Sequence, residues 1–164
     1  MLNPLKTRML RAAADRFALI ASEYNDLYVD AMLRAAKAEL KRAGAKNISV
    51  FRVPGAFEIP VVAARLARLS SHASGITPHA QPFSAVICLG VILRGETAHA
   101  AHIGEAVSQA LMQIQVQYEV PVIHEVLLLE NEAQAQARCL GRKHNRGAEA
   151  AQTALAMAGI LRDL

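Results

Sequence analysis

Ala85-Val86-Ile87-Cys88-Leu89-Gly90-Val91-Ile92-Leu93-Arg94-Gly95-Glu96-Thr97-Ala98-His99 is the stretch that decides the fold. Its first nine residues form an unbroken apolar run, the pattern of a buried strand rather than a half-exposed one. A short turn containing Gly95 follows. The next segment places Ile103, Val107, Ala110, Leu111 and Ile114 on one helical face. A buried strand that turns directly into a helix belongs to a parallel α/β sheet. The first amides of such a helix have no intrahelical partner and carry the positive end of its dipole, so they can hold an anion. Thr97 adds a hydroxyl there. His99 adds the side chain that titrates near neutral pH. An anion cradle beside a proton carrier points to chemistry on a small phosphorylated molecule.

The same unit recurs along the chain. Phe17–Ala21 reads as a short buried strand, Ser22–Asp26 as a polar loop with Asp26 as helix N-cap, and a helix with Leu33, Ala36, Leu40 and Ala43 ends at Gly44. Ile48–Val53 is a second strand. Pro54-Gly55-Ala56-Phe57-Glu58 is a turn before a helix reaching about Leu69. Ser70–Pro82, rich in Ser, His, Thr and Pro and without periodicity, reads as a loop insertion. The third strand covers about Ser84–Ile92 and the fourth Val120–Leu128. Two helices then follow, about Glu130–Leu140 and Gly147–Leu161, with a loop at Gly141–Arg146. Alternating strands and helices give an α/β fold with right-handed crossovers. The expected form is a three-layer αβα sandwich in which helices cover both faces of a four-stranded parallel sheet. Ligands of such sheets bind outside the carboxyl ends of the strands. Four loops fall there: Ser22–Asp26, Pro54–Glu58, Arg94–His99 and Leu129–Asn131.

Composition narrows the function classes. The 164 residues fit one domain, and 53% hydrophobic against 20% charged residues supports a sizeable core. The net charge of +4 is spread along the chain, there is no basic tail, and only 4% of residues are aromatic. That pattern suits small anionic substrates and not nucleic acid. No apolar stretch is long enough for a membrane span, and residues 1–14 read as an arm rather than a signal peptide. The two cysteines, Cys88 and Cys139, form no metal spacing or disulfide framework, which fits a reducing, cytoplasmic setting.

Each candidate residue has a bland reading beside the functional one. His99 at a helix start can simply cap or pair. Glu58 can be an acid favourably placed in a first turn; its functional reading is recognition of polyol hydroxyls. Phe57 can be core, or a wall stacking on a flat ring, and Tyr24 divides the same way. Arg138 can be a solvated helix arginine or a guanidinium fork for phosphate. Arg142, Lys143, His144 and Arg146 read as a solvated basic loop. His72 and His79 carry no visible chemistry, His102 reads as a surface helix residue, and His124 lies mid-strand.

Three separated pieces together resemble one family, the 6,7-dimethyl-8-ribityllumazine synthases. They are Val53-Pro54-Gly55-Ala56-Phe57-Glu58-Ile59-Pro60, then Gly90 to His99, then Pro121-Val122-Ile123 with Asn145-Arg146-Gly147-Ala148-Glu149-Ala150-Ala151. The resemblance covers about Phe17 to Met157. It implies a flavodoxin-like fold with strand order 2-1-3-4 and the penultimate step of riboflavin synthesis. In that step 5-amino-6-(D-ribitylamino)uracil condenses with 3,4-dihydroxy-2-butanone 4-phosphate, releasing phosphate and water, without a metal or redox cofactor. His99 matches the proton-transfer histidine. Glu96, Thr97 and Arg138 match positions holding the butanone phosphate, with Arg138 grouped with His99 in the catalytic set. Tyr24 matches the aromatic that stacks on the pyrimidine, with Asn25 beside it. Ala56, Phe57 and Glu58 match the loop around the ribityl chain and ring. Val91, Ile92 and Leu93 match the strand end whose backbone reads the pyrimidine edge. His124 matches a position contributed by a neighbouring subunit. The resemblance also implies a homo-oligomer of pentamers with sites between subunits, in some relatives a shell of twelve pentamers, and riboflavin synthase as a partner.

The chain departs from the family where Ala100 and Ala101 replace an aromatic and an acid, and where His124 replaces an apolar aromatic. Leu93 stands where Ile is common. Those departures motivate two alternatives to the enzyme: a lumazine- or riboflavin-binding paralogue without turnover, and a structural pentamer or shell.

Overall fold

The computed structural model describes residues 12–71, 82–141 and 144–164. The elements are β1 (Arg16–Ser22), α1 (Asp26–Arg42), β2 (Asn47–Val53), a 3-10 turn (Ala56–Glu58) and α2 (Ile59–Ser71). Then come β3 (Ala85–Leu93), α3 (His99–Tyr118), β4 (Val122–Leu129) and α4 (Glu132–Ala135). A π-helical turn (Gln136–Leu140) and α5 (Arg146–Asp163) complete the order. The four strands form one sheet in the order β2-β1-β3-β4, every pairing parallel; the alternation predicted the parallel pairing and the family resemblance the order.

The period of two along the strands sorts side chains between two helical layers. Phe17, Leu19 and Ala21 of β1 and Ala85, Ile87, Leu89 and Val91 of β3 pack with α1, α5 and the π-turn. Ala18 and Ile20, with Val86, Cys88 and Ile92, pack with α2 and α3. Both faces of β1 and β3 are therefore buried, which is why their sequences run apolar without alternation. Small residues let α5 approach α1 closely: a Cβ on Gly147 would lie 2.0 Å from the Met32 carbonyl oxygen.

Local expectations hold in some places and shift in others. Gly44 ends α1 at φ 87°, with Ala45 N donating to Leu40 O and Gly44 N to Lys41 O, the double bond pattern of a left-handed helix end. Asp26 is not the N-cap; Asn25 is, and Asp26 is the first helical residue, its carboxylate accepting from Leu27 N. The segment Glu130–Leu140 is not one helix but a short α-helix running into a π-turn. Ser70 and Ser71 belong to α2 instead of the following loop. Ser70 Oγ accepts from Phe83 N at 2.9 Å, so the two ends of that loop meet. Residues 72–81 of the expected 70–82 loop, with His72 and His79, most of the 1–14 arm, and Arg142 and Lys143 lie outside the described residues.

Candidate active site

Because all four strands are parallel, their carboxyl ends share one edge of the sheet, and the four loops predicted to meet there do so. Glu23 N donates to Val53 O at 2.8 Å and Tyr24 N to Pro54 O at 3.2 Å, joining the loops after β1 and β2. Asn25 Nδ2 donates to Val91 O at 2.8 Å, joining the first loop to β3. Arg94 N donates to Leu129 O at 2.8 Å and its guanidinium pairs with Glu130, joining the loops after β3 and β4.

Asn25 sits in the left-handed region at φ 58°, which Asn tolerates better than most residues. The β1 ladder with β3 ends at Ala21–Leu89. Beyond it, the Asn25 amide takes the place of a further strand partner on the Val91 carbonyl. That explains why its side chain caps no helix amide despite the N-cap position. One acceptor site of the carbonyl expected to read a pyrimidine edge is thus already used.

Gly55 is buried between two candidate residues. A Cβ there would meet Glu58 Oε2 at 2.9 Å and Tyr24 Cδ2 at 3.1 Å, so the carboxylate and the ring both close on this glycine. The 3-10 turn Ala56–Glu58 aims Glu58 back toward Gly55, and Phe57 out. Tyr24 and Phe57 are 72% and 61% exposed, so neither aromatic is core in this chain. α3 packs against the same turn, and Ala56 and Ala100 share one apolar cluster. Ala100 is therefore a buried layer residue, not an open wall beside His99.

The Arg94–Ala98 turn is exposed throughout, as is His99. Thr97 Oγ1 accepts from His99 N at 3.4 Å, and the first backbone bond into this helix start is His102 N to Ala98 O. Ala98, the N-cap, offers no side-chain acceptor. Polar hydrogens of the first turn thus face the edge where Glu96, Thr97 and His99 stand, a setting suited to an anion.

Two candidates are not brought to this group. His124 sits on β4 opposite Cys88, five residues short of the strand end at Leu129, or roughly 17 Å at ~3.3 Å per residue. Its Nε2 meets Ser108 Oγ at 2.8 Å, and partial desolvation holds its pKa below the ordinary histidine value. Arg138 is exposed on the π-turn, which packs with α1 and α5, while α3 packs on the opposite face of the sheet.

One charged cluster corrects the sequence reading, which put Arg146 in a solvated basic loop: Arg146 is the first residue of α5 and is half-buried in two ion pairs. Glu125 is only 3% exposed, on the α5 side of β4. It accepts from Arg146 Nε at 2.6 Å, and Arg146 Nη1 also donates to Glu149 at 2.6 Å. Burial pushes the Glu125 carboxyl up to about 7, more than the Arg146 pairing lowers it. Burial likewise raises the Cys139 thiol to about 11 and the Cys88 thiol strongly, so neither is a ready nucleophile. Strand position 125 looks apolar-flanked and its partner lies 21 residues on, which left no local signal. Among the described residues no group of three or more His, Cys, Asp or Glu is placed to hold a metal ion. No helix there is long and apolar enough to cross a membrane.

Comparison with known proteins shows the family of the chain. Residues 14–162 match the family model described as 6,7-dimethyl-8-ribityllumazine synthase. A 6,7-dimethyl-8-ribityllumazine synthase of Stenotrophomonas maltophilia is 38% identical over 151 residues, 91% of this chain and 90% of the relative. One from Xanthomonas oryzae pv. oryzae is 37% identical over 154 residues, 93% of each chain. One from Xylella fastidiosa is 37% identical over 157 residues, 94% of this chain and 95% of its own.

Proposed function

The chain belongs to the 6,7-dimethyl-8-ribityllumazine synthase family, and from that premise we propose which reaction its strand-end edge performs. It condenses 5-amino-6-(D-ribitylamino)uracil with 3,4-dihydroxy-2-butanone 4-phosphate, forming the lumazine and releasing phosphate and water. The observation that carries this reading is the convergence of the Tyr24, Gly55–Glu58 and Glu96–His99 loops on one edge, with Tyr24 and Glu58 flanking Gly55. Tyr24 and Phe57 stack against the pyrimidine, and Glu58 receives ribityl hydroxyls. Asn25 and the ends of Val91, Ile92 and Leu93 frame the ring edge, and Ala56 lets α3 close behind it. Thr97, the free first-turn amides of α3 and Glu96 border the phosphate. His99 carries protons for imine formation and for the elimination of phosphate, as a general acid and base.

Arg138 and His124 complete the site from a second copy. Support comes from their separation from His99 within one chain and from the exposed apolar side chains Met112, Val116 and Leu128 on α3 and β4. The working unit is then a homo-oligomer built from pentamers, acting in the cytoplasm and passing its product to riboflavin synthase. The fold of one chain is a single domain. Purified protein given both substrates should yield the lumazine chromophore, and either substrate alone should not. Flavin or lumazine titration on the same sample separates turnover from mere binding, and light scattering reads the assembly. Tight binding without product would overturn the synthase reading.

A further inference from the structure

The start of α5 is unusually well anchored. Gly147 lies against the backbone of Met32 in α1. Arg146 bridges Glu125 of β4 and Glu149 one turn further on. Asn145 is buried and caps the helix, its Oδ1 accepting from Gly147 N at 2.9 Å. The other half of the Asn145 amide, Nδ2, donates to the carbonyl of Cys139. Cys139 is the residue after Arg138 in the π-turn, and its side chain is buried beneath that turn while Arg138 stands exposed.

A π-turn leaves carbonyls at its end without backbone partners, and the far commoner α-helix, with i→i−4 bonds, is the competing form of the same residues. Re-forming it shifts the direction of every side chain after Gln136. Asn145 closes the alternative by spanning from a fixed post, the first turn of α5, to the carbonyl next to Arg138. A neutral amide suits this task because it supplies an acceptor to the cap and a donor to the turn at once. Asp can cap but has no donor for Cys139, and Ser or Thr can cap but carries donor and acceptor on one atom too close to the backbone to span both.

We propose that Asn145 is a positioning residue: its amide fixes the Gln136–Leu140 turn so that Arg138 is presented to the phosphate of the butanone substrate. This rests on the assignment of Arg138 to that phosphate. Glu125 and Arg146 hold the post from which Asn145 reaches, and Asn145 itself touches no substrate.

The test uses the full-length protein and varies each substrate separately, with inorganic phosphate as a competing probe. Asn145→Ser keeps a cap acceptor, adds no charge near the phosphate, and is too short to reach the Cys139 carbonyl. It should raise KM for the butanone phosphate and Ki for inorganic phosphate about fivefold, the size of one lost hydrogen bond. The KM for the ribitylaminouracil and kcat at saturation should stay within about twofold, the signature of lost positioning at one subsite. Asn145→Thr, which also caps and is neutral, should match it, guarding against a folding defect of one variant. In an Arg138→Ala background, Asn145→Ser should add nothing, because both act through one group. Equal losses at both substrates, or an undiminished effect in the Arg138→Ala background, would overturn the proposal while leaving Arg138 in place. An Arg138→Ala protein with unchanged phosphate Ki would remove the Arg138 assignment and the proposal together.

Discussion

Replacing Glu125 with Gln should flatten the pH dependence of stability between pH 4.5 and 7. Glu125 is 3% exposed on a strand face otherwise packed against apolar residues of α5. Its carboxyl is pushed up to about 7 from an ordinary 4.5, first by burial and then by the nearby Glu149, with Arg146 and Arg138 opposing. The folded state therefore holds this proton at pH values where the unfolded chain has lost it, and stability must fall as pH rises through that window. A gap of about 2.5 in pKa at ~1.36 kcal/mol each amounts to about 3 kcal/mol. None of it acts below pH 4.5, and all of it acts above 7. Glutamine keeps the size and an acceptor for Arg146 Nε but cannot ionise. The quantity to follow is the stability of wild type minus that of Glu125→Gln. It is measured by urea unfolding at pH 4.5, 5.5, 6.5 and 7.5 and one fixed protein concentration, because an oligomer's stability depends on concentration. That difference should move against wild type by about 3 kcal/mol across the range. Other titrating groups, such as Glu39, cancel in it. A difference that is constant with pH, or that moves in favour of wild type, would refute the argument that burial outweighs the Arg146 pairing.

Three further substitutions follow from the packing. Gly147→Ala drives a methyl to 2.0 Å from the Met32 carbonyl, a backbone atom that cannot step aside. A loss of about 3 kcal/mol or more and a lower Tm should result, read by thermal unfolding. Gly55→Ala meets Glu58 Oε2 at 2.9 Å and Tyr24 Cδ2 at 3.1 Å, both side-chain atoms. Its fold should survive with little change in Tm. Steady-state kinetics should show kcat/KM for the ribitylaminouracil down about tenfold or more, the scale of a misplaced binding group. Asn25→Ala removes the Nδ2 bond to Val91 O and puts alanine at φ 58°. It should cost about 1–3 kcal/mol by urea unfolding.

The run Ala85–Leu93 followed by Arg94–His99 made the sheet legible because both faces of β3 are buried, so the sequence carries no exposed half to confuse its period. Once the strands alternate with helices, chain connectivity alone puts Tyr24, Glu58 and His99 on one edge. What stayed hidden depends on contacts distant in sequence. Asn25 displaces Asp26 as the N-cap because its side chain is drawn 66 residues away to Val91. Glu125 reads as one more strand residue until Arg146 is seen against it. The π-turn around Arg138 has a helical composition, and the Asn145–Cys139 bond that holds it joins two segments whose local patterns do not refer to each other. Ala100 stands in sequence only as the replacement of a family aromatic, and in space it joins the buried apolar cluster that holds Ala56.

The most direct test of the synthase account compares wild type with His99→Ala in the presence of both substrates, following lumazine absorbance. Wild type should form product, and His99→Ala should retain its circular dichroism and assembly while kcat/KM falls about 100-fold or more, the usual weight of a general acid–base group. Absence of product from correctly assembled wild type, or equal turnover by the two proteins, would contradict it.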